Sequence, residues 1–324
     1  MDLSVVIPCY NEQSVLPLLR ERLLNALTQF GISWEVVFVD DGSRDNTFRE
    51  LERIHLSDPR FKVISFSRNF GHQAAISAGL AHAKGEAVAI MDADLQDPPE
   101  ILESALKKLR EGYDVVYAIR RKRKENLPKR IAYALFYRVL KGAAEVDIPL
   151  DSGDFCVMSR KVVDVLRSMP ERNVFVRGLR AWTGFRQCGI EYERQARAAG
   201  ETKYPFRKLL KLALDGIFAF STLPLQAAVY IGFAAMAVSV LGGVFVVIWR
   251  VIGFSFMGHR AHELPGWTAA ITLALFFSGI QLLILGVMGE YIGRIYGEVK
   301  QRPRWIVRET LGVENEDQKG SQKP

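Results

Sequence analysis

Two long uncharged stretches, Leu223–Trp249 and Leu264–Gly289, constrain this chain more than any other feature. Each exceeds the ~18 apolar residues that mark a membrane-helix candidate. At ~1.5 Å rise per residue, either one crosses a ~30 Å hydrocarbon layer with some tilt. A buried core helix of that length would show a polar face, and neither stretch does. Lys203, Arg207, Lys208 and Lys211 precede the first stretch, and Arg294, Lys300, Arg302, Arg304 and Arg308 follow the second. The segment Val251–Glu263 between them is short, with Arg260 its only Lys or Arg. The positive-inside rule then places both termini in the cytoplasm and the short loop outside. No signal peptide is expected, because Leu3–Pro8 has a short strand pattern rather than a basic segment and a long apolar core.

The expected organisation follows. Residues 1–204 form a cytoplasmic domain and 205–222 a juxtamembrane interfacial helix. Residues 223–250 and 267–289 cross the membrane around an extracytoplasmic loop at 251–266. Residues 290–324 are a basic segment and a disordered tail, with no internal repeat. Cys9, Cys156 and Cys188 are odd in number and widely spaced, which suggests neither a disulfide framework nor a zinc site and agrees with a reducing compartment. The net charge of +7 is partly local. Arg120, Arg121, Lys122, Arg123, Lys124, Lys129, Arg130, Arg138 and Lys141 are opposed by Glu125 alone. Such a cluster reads as a surface for anions, or more plainly as a solubilising face. Ile131–Leu140 has the look of an amphipathic interfacial helix, or of a packed helix of the domain.

The first hundred residues alternate strand and helix patterns. Strands are predicted at Leu3–Pro8, Trp34–Val39, Lys62–Phe66, Ala87–Met91 and Asp114–Ala118. Helices are predicted at Asn11–Phe30, around Phe48, Leu51 and Ile54, at Gln73–Ala83 and from Glu100 to about Arg110. This alternation predicts an α/β fold with a parallel sheet between helices. Ligands of such folds sit beyond the carboxyl ends of the strands. Acidic residues collect there. Asp92-Ala93-Asp94 follows an apolar strand, and residues two apart on an extended chain point the same way. Both carboxylates can face one divalent cation and the diphosphate it neutralises. A lone Asp-X-Asp is more often a polar turn; its place at a strand end sharpens the signal. Asp40-Asp41 ends another strand and can accept from a base or ribose. Pro8-Cys9-Tyr10-Asn11-Glu12 ends the first. There Tyr10 can cover a ring and Glu12 can accept from ribose, while helix capping accounts for Asn11 and Glu12 equally well.

Val6–Glu12, Val39–Ser43, Ser67-Arg68-Asn69-Phe70-Gly71 and Met91–Pro99 together resemble the inverting family 2 glycosyltransferases of the GT-A fold. Ser152-Gly153-Asp154-Phe155, Met169–Asn173, Arg197–Tyr204 and Gly289–Tyr296 narrow the resemblance to the polyprenyl-phosphate glycosyltransferases. Among these, the GtrB-type bactoprenol glucosyltransferases are closer than the dolichol-phosphate mannose synthases. The resemblance runs from Leu3 to about Arg308. It implies a GT-A domain (a Rossmann-like sheet) followed by interfacial helices and two membrane helices. The implied reaction moves a sugar, glucose first, from a UDP-sugar to undecaprenyl or another polyprenyl phosphate on the inner membrane. The implied partners are donor, acceptor and bilayer, with no nucleic acid and a homotetramer as the assembly. Asp94 would hold Mg²⁺ or Mn²⁺ with Asp92 beside it near the ribose. Pro8, Tyr10, Glu12 and Asp41 would line the nucleotide site, with Asp41 on the uracil. Arg197 and Lys203 would hold donor diphosphate or acceptor phosphate. Asp154 matches the acceptor-side base. Relatives often have arginine at the position of Cys156, so another cation must serve, and Arg120 and Arg121 are the candidates.

Gln301-Arg302-Pro303-Arg304-Trp305 matches a motif of processive polysaccharide synthases. It lies after the last apolar stretch, and Pro303 interrupts a helix, so it reads as a basic membrane-surface tail. A processive synthase would need more spans, and a non-catalytic scaffold would not need intact carboxylates at four places. A nicotinamide dehydrogenase would carry Gly-X-Gly-X-X-Gly after the first strand, which is absent.

Overall fold

The computed structural model describes residues 1–120, 152–171, 174–192, 223–252 and 266–313. Arg121, Arg197, Lys203, the two expected interfacial helices and the tail from Glu314 lie outside the described residues.

The chain forms two units. The first is built on β1 (Leu3–Cys9), α1 (Leu16–Gln29), β2 (Trp34–Asp40), α2 (Thr47–Ser57), β3 (Phe61–Phe66), α3 (His72–His82), β4 (Ala87–Ile90), α4 (Ile101–Arg110) and β5 (Val115–Arg120). β6 (Ser152–Ser159), α5 (Arg160–Ser168), α6 (Val176–Trp182) and β7 (Gln187–Tyr192) complete its continuous part. One sheet runs in the order β7-β5-β6-β4-β1-β2-β3-β8, where β8 is Val307–Leu311. β3, β2, β1 and β4 are parallel; β6 enters antiparallel to β4 and β5. The strand order reverses between β1 and β4, the place where open α/β sheets bind ligands.

β1 and β2 are buried along their whole length, as strands covered on both faces must be. Leu3, Val5 and Ile7 of β1 pack with Leu16, Leu19, Leu23 and Leu27 of α1, with α2 and with α4. Each such side chain, once buried, contributes ~1.5–3 kcal/mol. On the other face Val37, Val39, Ile64 and Phe66 pack against Ala75 and Ala78 of α3. α3 approaches closely because Gly79 lies over Val6; a Cβ there would stand 2.1 Å from Val6 Cγ1.

Two sequence expectations are corrected here. α1 begins at Leu16, not Asn11. Asn11 takes a left-handed φ of 56°, its N–H donates to Ser43 Oγ (3.0 Å), and its Oδ1 accepts from Arg44 N (2.9 Å). Asn11 therefore ties two strand-end loops together and caps no helix. The second correction concerns 301–305. This segment is no surface tail: the chain re-enters the sheet, and β8 pairs antiparallel with β3, Ser65 opposite Glu309. Trp305 stacks on Phe66 with ring centroids 6.3 Å apart, and Ser67 N donates to the Ile306 carbonyl. Partial burial of an indole and a strand's hydrogen bonds outweigh the run of positive charge.

The second unit holds α7 (Leu223–Ile252) and α8 (Gly266–Val299), both long and apolar enough to cross a bilayer. Gly232 lies against Ile284, and Tyr291 bonds the Leu225 backbone, so the helices run antiparallel. Their large apolar side chains are exposed along most of their length. α8 continues beyond the uncharged stretch, and there Glu290 and Arg294 pair at 2.9 Å, one helical turn apart.

Candidate active site

The carboxyl ends of β1, β2 and β4 and the start of β6 converge on one polar cluster. β4 stops at Ile90, but the alternation persists beyond it. Asp92 and Asp94 are half-buried and open, whereas Met91, Ala93 and Leu95 are buried. The turn is completed by Leu95 at φ 58°, an uncommon conformation for a non-glycine residue. Gln96 N donates to Asp94 Oδ1 at 3.1 Å.

His72, the first residue of α3, stands between two carboxylates. Its Nε2 lies 3.4 Å from Asp154 Oδ2 and 3.7 Å from Asp92 Oδ1. Asp154 also takes Arg177 Nη2 on Oδ1 at 3.3 Å and Gln73 Nε2 on Oδ2 at 3.4 Å. Gln73 Oε1 in turn accepts from Val176 N at 3.0 Å, which fixes the start of α6. Burial raises the Asp154 pKa, but the His72 hydrogen bond and the Arg177 charge override it and hold the group well below the usual carboxylate range. Burial lowers the His72 pKa, and Asp154 and Asp92 more than restore it, leaving it raised. Asp92 has no such relief. Burial, with Asp154, Asp97 and Asp94 nearby, pushes it up to about 6 against the pull of His72.

Asp41 is buried at 3% exposure. Its Oδ1 accepts from Phe70 N (2.7 Å) and its Oδ2 from Gly71 N (3.0 Å), which braces the loop that presents His72. Burial raises its pKa, partly offset by those N–H groups. Gly42 beside it has φ +65°, and a Cβ there would meet Arg68 C at 2.3 Å. That turn needs glycine twice over. Asp40 is fully buried, accepting from Ser43 N and Ser65 Oγ. Arg308 of β8 donates to the same Ser65 Oγ at 2.9 Å and lies 4.0 Å from Asp40 Oδ2.

Of the residues singled out in the sequence, Asp92, Asp94 and Asp154 gather at the switch point. Tyr10 is exposed, one residue past the end of β1, and Glu12 N donates to Thr47 Oγ1. Pro8 is buried within β1, opposite Val39. Arg120 ends β5. Sequence reasoning missed His72, Gln73, Arg177 and Arg308. His72 and Gln73 carried a signal, since they directly follow the Ser67–Gly71 motif at a strand end. Arg177 sits on a seven-residue helix with no periodicity to reveal it.

No group of three or more His, Cys, Asp or Glu encloses a metal among the described residues. Two carboxylates, one pushed toward protonation by burial and then by its acidic neighbours, suit a hard cation that completes its shell with substrate phosphates and water. The residues fit that mode of binding.

The mixed α/β sheet with a carboxylate cluster at its switch point is of GT-A type. Residues 4–167 match the model of glycosyl transferase family 2. An uncharacterized glycosyltransferase, YkcC, of Bacillus subtilis (strain 168) is 48% identical over 313 residues, covering 96% of this chain and 95% of its own. The SfII prophage-derived bactoprenol glucosyl transferase of Shigella flexneri is 38% identical over 311 residues, covering 96% and 98%. The prophage bactoprenol glucosyl transferase homolog of Escherichia coli (strain K12) is 38% identical over 309 residues, covering 95% and 99%. This chain belongs to glycosyltransferase family 2 and is a glycosyltransferase.

Proposed function

We propose that the protein moves glucose from UDP-glucose to undecaprenyl phosphate or a similar polyprenyl phosphate. The transfer inverts the anomeric carbon and takes place at the cytoplasmic face of the inner membrane. The observation that carries this reading is the convergence of Asp92, His72, Asp154 and Arg177 where the strand order reverses. Near full-length relatives named bactoprenol glucosyl transferase support the acceptor class.

Asp92 and Asp94 would hold Mg²⁺ or Mn²⁺, which when bound offsets charge on the departing diphosphate. Tyr10, Glu12 and Asp41 line the donor side, with Asp41 setting the loop beneath the base. Arg197 and Lys203 serve donor or acceptor phosphate, and Arg120 and Arg121 the acceptor. The acceptor is mostly a dianion at neutral pH, its second pKa being about 6. It attacks as it stands. Arg177 and His72 attract it, while Asp154 keeps both cations in place. Asp154, held well below the usual carboxylate range, is a weak proton acceptor and a strong anchor.

The pairing of β8 with β3 supports one side of the membrane for the whole sheet, and the basic residues that flank the two apolar stretches support the cytoplasmic side. β8 follows α8, yet it is hydrogen-bonded to β3, which precedes α7. A chain that crosses a bilayer twice between those strands returns to the side it left. A homotetramer remains the assembly the resemblance implies. The test is to incubate the purified chain with undecaprenyl phosphate and labelled UDP-glucose, UDP-N-acetylglucosamine, UDP-galactose or GDP-mannose in turn. Organic-extractable label from UDP-glucose is the expected result; label from another donor alone would overturn the sugar assignment.

A further inference from the structure

Arg180 is the largest fully buried side chain among the described residues, 1% exposed. Its Nε and Nη2 have no hydrogen-bond partner, and among the described residues no carboxylate pairs with it. Its guanidinium lies 5.6 Å from the Tyr117 ring centroid and hydrogen-bonds the buried Cys156 thiol. A buried, uncompensated guanidinium is costly to the fold, and an apolar side chain of similar volume would avoid that cost. Among the described residues nothing supplies the anion that its retention calls for.

The geometry says where that anion arrives. Asp154 and Cys156 are two apart on β6 and share a face. Arg177 and Arg180 are three apart on α6 and share a face. Asp154 pairs with Arg177, and Cys156 with Arg180, giving two successive rungs. The Cys156 rung is the deeper one, because Cys156 pairs with Ile90, the last residue of β4, and Asp154 lies beyond it. At the outer rung the charges of Arg177 and His72 are met by Asp154 and Asp92. Among the described residues the inner rung carries one cation and no anion.

We propose that Arg180 is a positioning residue for the acceptor: its charge, unpaired among the described residues and one rung beneath Asp154 and Arg177, adds to the attraction that Arg177, His72 and the other cations exert on the incoming phosphate. The proposal rests on the reading of the protein as a lipid-phosphate glycosyltransferase. Arg180 touches no substrate. It acts through the low-dielectric wall, where a charge a few ångströms further in still exerts a sizeable pull. Arg177 cannot supply that attraction alone, since its charge is spent on Asp154. The neighbouring Cys156 offers a route to test placement rather than mere presence, because the guanidinium can be moved from helix to strand.

The experiment uses the full chain in detergent micelles, with UDP-glucose and undecaprenyl phosphate, and compares four proteins: the wild type, Arg180→Met, Arg180→Lys and the double variant Cys156→Arg/Arg180→Met. Arg180→Met is expected to melt no lower than wild type, since an apolar group replaces a buried charge. Its donor KM should stay within about twofold, while its acceptor KM rises about tenfold, the scale of one charge at short range in a partly screened site. Arg180→Lys should stay near wild type. The double variant should recover most of the lost acceptor affinity. An Arg180→Met protein with an unchanged acceptor KM overturns the proposal. So does one whose donor and acceptor KM rise together with a lower melting temperature, the mark of a structural role. If Arg180→Met does not fold, a folded double variant that fails to recover the acceptor KM overturns it equally. Wild type that gives lipid product beside an indifferent Arg180→Met removes only Arg180; wild type that gives none removes the acceptor assignment itself.

Discussion

Replacing Asp154 by Asn removes one charge and leaves the shape of the site nearly intact. Asp154 faces Arg177 at 3.3 Å and His72 at 3.4 Å, and its side chain is 16% exposed. Two unit charges 3.3 Å apart attract by ~5 kcal/mol at an effective dielectric of ~20. Desolvation offsets part of that, and breaking a buried pair costs ~3–5 kcal/mol net. A loss of ~3 kcal/mol lowers Tm by ~6–12 °C for a domain of about 200 residues. The pH dependence follows from the direction of the shift. Because the folded pKa is depressed, the stabilisation is present above the unfolded value of ~3.9 and is lost as pH falls through the folded value. The melting gap between wild type and Asp154→Asn should therefore be widest near neutrality and close in strong acid. Transfer responds differently. If ~3 kcal/mol of acceptor positioning is lost, the rate falls about 100-fold, while UDP binding persists. Rates measured from pH 6 to 9 with undecaprenyl phosphate decide the role. Positioning predicts a deficit constant across that range. A mutant rate that climbs to near wild type in alkali would show that Asp154 merely accepts a proton, and an unimpaired mutant at pH 7 would remove it from the mechanism.

Arg308→Gln should weaken UDP-glucose binding several-fold with the acceptor KM unchanged, because Arg308 braces Ser65 and Asp40 beneath the donor loops; calorimetric titration with UDP checks this, and equal affinity refutes it. Glu35 is fully buried and accepts from Ser4 Oγ, Lys84 N and Lys62. Burial raises its pKa, but Lys62, Ser4 and Lys84 together leave it lowered. Glu35→Gln strands the Lys62 ammonium and should cost ~2–4 kcal/mol at pH 7. That cost should fade as pH drops below ~4.3, the unfolded-chain value, and through the lower folded value, and a pH-independent loss of melting temperature would contradict the assignment. A cysteine at Ser255, between the two apolar helices, should react with an impermeant thiol reagent on intact cells; labelling only after lysis would reverse the topology.

Much of the fold was legible because its central strands are buried on both faces. Leu3–Cys9 and Trp34–Asp40 are apolar runs closed by polar residues, and α1 repeats leucine at 16, 19, 23 and 27. β6, β7 and β8 were not read as strands. Each is short or interrupted by polar residues and glycine: Gly153 and Asp154 in β6, Gly189 and Glu191 in β7, Arg308 and Glu309 in β8. Sheet position, which sequence spacing does not encode, is what makes them strands. The site divides the same way. Asp92 and Asp94 announce themselves as acids at a strand end, whereas Asp154 is found through the family resemblance. The cations that hold Asp154 come from helices distant in sequence, and Arg308 arrives only after the chain has passed through both apolar helices. Asp41 shows the limit of reading chemistry from residue type, since its oxygens engage the backbone of the loop carrying His72.

The most direct test of the account is the identity of the product made by wild type and by Asp94→Asn. Each would be incubated with UDP-glucose, undecaprenyl phosphate and Mg²⁺ or Mn²⁺, and the organic extract examined by mass spectrometry. The account predicts one hexose per lipid phosphate from wild type, abolished by EDTA and by Asp94→Asn. Polymeric sugar in the aqueous phase, or equal lipid product from Asp94→Asn in EDTA, would contradict it.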